Sequence, residues 1–244
     1  MMELNSGEHI EELGRGVKLI VSKEHTFGTD ALLLASFASP KTKDAAVDLG
    51  AGCGIIPFYW LRGGMCGSIA AVEVQDAAYS QLERSVALND AEKIRPVHAD
   101  LREIGEHLPH GAYDLVTMNP PYTRVNGGII SSSGSDRIAR HGTMCEFSDV
   151  CAAAAYLLRF GGRLCVCLRV ERMAEMFAAM REAKIEPKRL RLVSKCEGAA
   201  PWLCLIEGKY GRQPGLVIEP ELHIENPGGG VSAAMREIIG EYAE

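Results

Sequence analysis

No apolar stretch of the 244-residue chain approaches the ~20 consecutive residues a bilayer-crossing helix needs, so a membrane span is not expected. The opening residues, MMELNSGEHIEELGRG, lack the apolar core of a secretory leader, and a cytoplasmic setting is expected. None of the eight cysteines forms a CxxC pair. Cys165 and Cys167 make a CxC inside a strand-like run, where alternation sets both on one face. Reduced, core-lying cysteines are expected, and no obligate metal. An excess of positive charge is missing too. The net charge of −6 argues against a protein that coats nucleic acid indiscriminately, while leaving room for a local basic face. Internal repeats and low-complexity tracts are absent, and no feature specifies an oligomeric state.

What remains is ordinary globular composition, 47% hydrophobic and 24% charged, long enough for one large α/β domain. Residues 1–16 read as an acidic extension lying loosely over the edge of the fold, and VKLIV (17–21) as a short strand. In HTFGTDALLLASFAS, Thr29 or Asp30 is placed to cap a helix running to about Ser39. The period then alternates: strands at 45–50, 68–74, 94–100, 112–118 and 161–169, and helices at 55–64, 76–90, 147–160 (Ser148 as cap) and 170–185. Two further strand-like runs, 188–196 and 201–210, follow with no helix between them and predict an antiparallel hairpin. The pattern implies a doubly wound α/β fold over residues 17–210, with a mostly parallel, seven-stranded sheet closed by that hairpin. Residues 211–244 read as a tail with a short helix.

Charge is unevenly distributed. Residues 159–195 hold ten Lys/Arg against four Glu, whereas 219–244 hold one Arg against six Glu. The basic block reads either as solvated helix and strand faces or as a surface that meets phosphates.

Two motifs carry chemistry. Asp48-Leu49-Gly50-Ala51-Gly52-Cys53-Gly54 joins the first buried strand to its helix. Glycines there allow positive φ and let a ligand approach backbone N–H groups at a helix start. Glu73, ending the next strand, can accept both hydroxyls of a ribose, as in dinucleotide folds. The dehydrogenase fingerprint G-x-G-x-x-G is not met, because position 55 is Ile. The pattern G-x-G-x-G after an acid resembles the S-adenosylmethionine loop of the Rossmann-like class I methyltransferases. That resemblance implies that Asp48 helps hold the cofactor's amino-acid end and that Asp100, after the third strand, reads the adenine amino group.

Asn119-Pro120-Pro121-Tyr122 lies just beyond the carboxyl end of AYDLVTM, where open α/β sheets bind their ligands. Two prolines stiffen the backbone, so the Asn119 amide oxygen and the Pro120 carbonyl become aimed acceptors, followed at once by an aromatic ring. Such a set suits a planar NH2 group. Hydrogen bonds to both of its N–H groups would orient a weak nucleophile, and Tyr122 would stack on the ring that bears it. The tetrapeptide resembles that of methyltransferases acting on adenine N6, guanine N2 or a glutamine amide. It identifies the acceptor group and leaves the polymer open.

Phe27-Gly28-Thr29-Asp30-Ala31-Leu32-Leu33-Leu34-Ala35 is similar to the phrase that opens the bacterial tRNA1(Val) (adenine37-N6)-methyltransferases. The similarity continues through VDLGAGCGIIP, AVEVQ, the Asn-Pro-Pro-Tyr motif and Arg137-Ile138-Ala139-Arg140-His141, over roughly residues 17–210. It implies N6-methylation of an adenine in a tRNA anticodon loop, with S-adenosylmethionine as cofactor. The implied cofactor residues are Thr29, Asp30, Asp48, Gly50, Gly52, Gly54, Glu73, Asp100 and Asn119. Other readings stay open: an rRNA or DNA base, a release-factor glutamine, or a cofactor-binding RNA-interaction protein without turnover. Within the long Gly/Ser-rich stretch 123–145, Arg124, Arg137, Arg140 and His141 either meet RNA phosphates or are incidental charge on a surface loop. A catalytic base at His141 is not required by orientation chemistry.

Overall fold

A computed structural model describes residues 4–120 and 145–240. Its centre is a nine-stranded sheet. Five parallel strands carry the site: β3 (Ala45–Leu49), β4 (Ser68–Glu73), β5 (Ile94–His98), β6 (Tyr113–Met118) and β7 (Leu158–Arg169). β8 (Ile185–Ser194) and β9 (Leu203–Tyr210) form the expected antiparallel hairpin, and β9 runs antiparallel to β7. Two further two-residue strands, β10 (Val217–Ile218) and β11 (Leu222–His223), pair with the free edge of β8. Ahead of the sheet, β1 (Glu8–Gly14) and β2 (Val17–Ser22) make a separate hairpin. The order along the sheet is β10-β8-β9-β7-β6-β3-β4-β5.

Helices cover both faces. α1 (Thr29–Ala38), α2 (Ile55–Arg62) and α6 (Ala233–Ile239) share one apolar layer with the β1–β2 hairpin. α4 (Phe147–Leu157) and α5 (Met173–Glu182) build the other, and α3 (Asp76–Leu88) lies against β2, β4 and β5. Strand alternation sorts the side chains between these layers: along β7, Leu164 and Val166 enter one core, and Cys165 and Cys167 the other. All eight cysteines are reduced thiols, and burial pushes the Cys165 thiol up to about 12, so it packs as an inert apolar group.

Several expectations are corrected. The described part of the expected 1–16 extension does not lie loosely on the fold: Glu8–Gly14 is a strand, and a boundary at 16/17 would cut its hairpin in two. Two side chains of α3 and its C-cap Asn89 hold the hairpin down. Ser85 Oγ accepts the Ile20 N–H, Asn89 bonds both the N–H and the carbonyl of Lys18, and Arg84 grips Glu8. Thr29 and Asp30 do not cap α1. Gly28 occupies the cap position without a side-chain bond, and Asp30 lies inside the first turn. Helix α4 stops at Leu157 because Leu158 already pairs with Tyr113 in the sheet. Its cap is Glu146, reciprocally bonded with Asp149, and Ser148 is inside the helix. The 170–185 helix opens with a 3-10 turn and ends at Glu182, where the left-handed Lys184 (φ 60°) turns the chain into β8. The tail does more than add a helix, since its two short strands extend the seven expected strands to nine.

Candidate active site

The register of the parallel strands lines up the site. Leu49 pairs with Met118 and with Val72, and Glu73 pairs with His98. The residues just past those ends, Asn119, Gly50 and Glu73, therefore stand side by side on three adjacent strands. With strands ~4.8 Å apart, that row is about 10 Å wide. Asp100 follows two residues after His98, beyond the next strand.

The glycine loop turns in the left-handed region at Gly50 (φ 66°), Gly52 (φ 57°) and Gly54 (φ 97°). The three glycines serve different ends. A Cβ on Gly54 would meet Leu82 at 2.7 Å and Phe58 at 3.1 Å, so this glycine lets α2 and α3 close on the loop. A Cβ on Gly52 would meet nothing within 4 Å, which marks an open cradle. Glu73 fastens the loop: it is buried, one carboxylate oxygen accepts the Gly52 N–H at 2.8 Å, and the other accepts Val74 N–H at 3.0 Å and Gln75 N–H at 2.8 Å. A carboxylate has roughly four lone-pair sites, so Glu73 keeps capacity for about one more donor. Beside it, the Gln75 amide oxygen is buried without a partner among the described residues.

Asp48 is fully buried at the end of β3 and accepts a 2.7 Å hydrogen bond from the Thr117 hydroxyl on β6. Burial pushes its carboxyl up to about 7. The Thr117 bond opposes this, and the nearby charge of Glu73 adds to it. Asp100 caps the turn that follows it by accepting the Arg102 N–H, and the Arg102 guanidinium takes both of its oxygens. That pairing lowers the Asp100 carboxyl from its ordinary value. An adenine amino group would have to share Asp100 with Arg102. At α1, Asp30 accepts the Ala31 N–H at 3.1 Å, and Thr29 is exposed.

Asn119 is half-buried and Pro120 buried at the end of β6. Pro121, Tyr122, Arg124, Arg137, Arg140 and His141 lie outside the described residues. Two features escaped the sequence reading. Thr117 is one residue of an apolar strand, and only the β3–β6 register reveals that it faces Asp48. Val74, immediately after Glu73, is an apolar side chain left exposed at the strand end; its alternation within SIAAVEV gave no hint of that. His98, stacked on Tyr79 with centroids 4.6 Å apart, reaches the Val74 carbonyl at 3.2 Å and braces this corner.

Comparison with known proteins points to methyltransferases. The model of the methyltransferase small domain matches residues 21–136, which contain the glycine loop, Glu73, Asp100 and the Asn-Pro-Pro-Tyr motif. Over that segment, a little under half of its length, the chain is similar to the small-domain methyltransferases. A tRNA1(Val) (adenine(37)-N6)-methyltransferase of Tolumonas auensis is 29% identical to it over 197 residues, 78% of this chain and 73% of that protein. The enzyme of the same name from a Shewanella species is 23% identical over 241 residues, 96% of this methyltransferase and 95% of its own length. Among solved structures, a predicted O-methyltransferase from Agrobacterium tumefaciens superposes with a TM-score of 0.69 at 21% identity, covering 86% of this chain and 95% of that one. M. jannaschii TYW2 in complex with AdoMet gives 0.59 at 15% identity, covering 87% and 90%. At those identities the structures establish the fold: the methyltransferase has the Rossmann-like α/β architecture expected, and no described helix is long and apolar enough to cross a membrane.

Proposed function

We propose that this methyltransferase transfers a methyl group from S-adenosylmethionine to N6 of an adenine in a tRNA anticodon loop. The reading rests first on the β3–β6 register, which sets Asn119 and the Pro120 carbonyl beside Gly50 and one strand from Glu73. It is supported by the relatives, which carry the name of that activity along most of this chain's length.

The residues present fit the cofactor. Gly52 offers an open cradle, Glu73 and Gln75 have acceptor capacity for hydroxyl or amine donors, and the exposed Val74 gives a base an apolar face. Asp48, Gly50, Gly54, Thr29, Asp30 and Asp100 complete the proposed set. When bound, S-adenosylmethionine supplies a methyl carbon attached to a positively charged sulfur. The chain itself orients the acceptor. The Asn119 amide oxygen and the Pro120 carbonyl accept the two N–H groups of the planar amine. That turns its electron density toward the cofactor side and stabilises the positive charge that develops on nitrogen. Pro121 keeps the corner stiff and Tyr122 stacks on the base. No side chain is needed as a strong base, because the amine becomes acidic as it is alkylated. An anticodon loop already presents unstacked bases, so delivering the target is inexpensive.

The decisive measurement is mass spectrometry of tRNA nucleosides from cells with and without the gene, paired with labelled S-adenosylmethionine, purified protein and the undermodified tRNA. N6-methyladenosine lost in the deletion and restored in vitro supports the reading. Label on a release factor, on rRNA or on DNA, with tRNA left bare, overturns it. Asn119→Ala should lower the rate at least 100-fold while changing cofactor affinity less than Glu73→Ala does, on the scale of one lost electrostatic contact.

A further inference from the structure

At the other end of the sheet lies a cleft that the proposed chemistry does not use. It has a volume of about 400 Å³ and is lined by Gly161, Lys188, Lys209, Arg212, Gln213 and Pro214. Its cations come from three separate segments: the start of β8, the end of β9 and the tail just after it. No carboxylate is within ion-pair distance of Lys188 or Arg212 among the described residues, and Lys209 is 4.0 Å from Glu207, which is itself shared by Arg163 and Arg189. The Lys188 ammonium is held by the Gln213 carbonyl at 3.2 Å. Three positive groups thus share one concavity on a protein whose net charge is −6.

The cleft has a built floor. Phe160, at the start of β7, is 68% exposed, and the Arg212 guanidinium lies over its ring, 4.9 Å from the centroid. Two glycines make this stack possible. A Cβ on Gly211 would come within 2.5 Å of the Phe160 ring, and one on Gly161 within 2.7 Å of the Arg212 guanidinium. The pairs Phe160-Gly161 and Gly211-Arg212 therefore interlock, each large side chain seated on the other pair's bare α-carbon. Both glycines have positive φ, 79° and 68°. A single exposed phenylalanine is ordinary. An exposed ring that fixes an arginine with no carboxylate partner among the described residues, with two lysines beside it, is a preorganised anion site.

Its position suggests the anion. Met118 pairs with Val166, so Asn119 is level with Cys167, seven residues along β7 from Phe160. At ~3.3 Å per residue the cleft lies roughly 23 Å from the methyl-transfer corner. A small substrate cannot span that distance; a folded RNA whose loop sits at Asn119 can, with its body.

We infer that Lys188, Lys209 and Arg212 form a second contact for the RNA substrate, binding backbone phosphates of the tRNA body while the loop occupies the Asn119 corner. The inference rests on the RNA reading above and extends it to a surface that reading does not assign. It accounts for part of the basic 159–195 block: sequence-independent phosphate contacts set the register of the RNA on the protein and carry no base specificity.

The test uses the full chain and the double variant Lys188→Glu/Arg212→Glu, with Lys188→Gln/Arg212→Gln as a milder pair and thermal melting to show that both fold. Equilibrium binding of labelled whole tRNA is measured across a salt series, separately from methyl transfer to whole tRNA and to the isolated anticodon hairpin. The charge-reversed protein should bind whole tRNA at least tenfold more weakly, with a salt slope shallower by about 2, near one per cation removed. Its KM for the hairpin, its kcat at saturating tRNA and its KM for S-adenosylmethionine should stay within twofold of wild type. Unchanged tRNA affinity and slope overturn the inference, as does an equal loss on hairpin and whole tRNA. Wild-type binding of whole tRNA without methyl transfer would defeat the proposed activity and leave the cleft to be judged on the binding series alone. Wild-type protein that binds no tRNA defeats both.

Discussion

The residue that sets the chemistry of the glycine turn from below is Asp48. It has lost its water, and the Thr117 hydroxyl is its one side-chain donor among the described residues. Its carboxyl titrates at about 7 when folded, against an ordinary value of 3.8. The folded state therefore binds a proton more tightly than the unfolded chain. Stability from this group is fully present below about pH 3.8 and is lost as pH rises through about 7. Asp48→Asn should remove that dependence. Its melting temperature relative to wild type should be more favourable at pH 8 than at pH 5, by an amount on the order of a few kcal/mol when converted. Thr117→Val, which withdraws the one opposing hydrogen bond, should steepen the wild-type slope, and Thr117→Ser should restore it. A melting difference between Asp48→Asn and wild type that is flat from pH 5 to pH 8 would mean that the carboxylate finds solvation the fold does not display.

At the scale of elements, the strand–loop–helix unit from β3 to α2 separates holding the fold from holding a ligand. Gly54 is pressed against Leu82 and Phe58, whereas Gly52 borders open space. Both have positive φ, so alanine at either costs on the order of 1–2 kcal/mol in backbone strain. Gly54→Ala adds a clash between packed helices and should lower stability by about 1–3 kcal/mol more than Gly52→Ala does. Gly52→Ala should instead weaken S-adenosylmethionine binding at nearly retained melting temperature, measured by calorimetric titration. An equal effect of the two on melting would contradict the division.

The same unit explains why so much was legible. A buried parallel strand leaves a continuous apolar run with an abrupt stop, and Ala45–Leu49 (stopped by glycine), Ser68–Glu73 (by an acid) and Tyr113–Met118 (by Asn-Pro-Pro) all announced themselves that way. The glycine loop, Glu73 and Asn119 could be placed because they follow directly from those stops. The hairpin strand Glu8–Gly14 could not: its sequence EHIEELG is charged on both faces, since it is covered on one side only and secured by α3 side chains far along the chain. β10 and β11 are two residues each, too short for any period to register. The end of α4 was misplaced because Leu157 and Leu158 look alike in sequence, and only pairing with Tyr113 decides where the helix gives way to strand. The Asp48–Thr117 bond depended on register, which no single strand encodes.

Across the whole molecule, the first and last described elements meet on the helix that follows the glycine loop. Arg62, the last residue of α2, donates through one guanidinium nitrogen to the Leu13 carbonyl at 2.8 Å and the Ile239 carbonyl at 3.0 Å, and its face lies over Tyr59. Leu13 lies in β1 of the N-terminal hairpin and Ile239 ends α6, so one side chain ties the first and last described elements to α2. Hydrophobic burial works in the same direction, with Leu13, Leu222, Met235 and Ile238 all inside the α1–α2 layer. A charged donor serving two carbonyls is worth about 1.5–3 kcal/mol per bond. Arg62→Met keeps the aliphatic stem and removes the donors. With both bonds lost, it should lower the melting temperature by roughly 6–24 °C, at about 2–4 °C per kcal/mol for a chain of this size. Hydrogen exchange should rise together at residues 8–22 and 233–239, while the strands 45–49, 68–73 and 113–118 keep their protection. Among the described residues the two terminal elements meet through this guanidinium and the shared apolar layer, so faster exchange at one of them alone would show that they unfold independently and that Arg62 serves a single one.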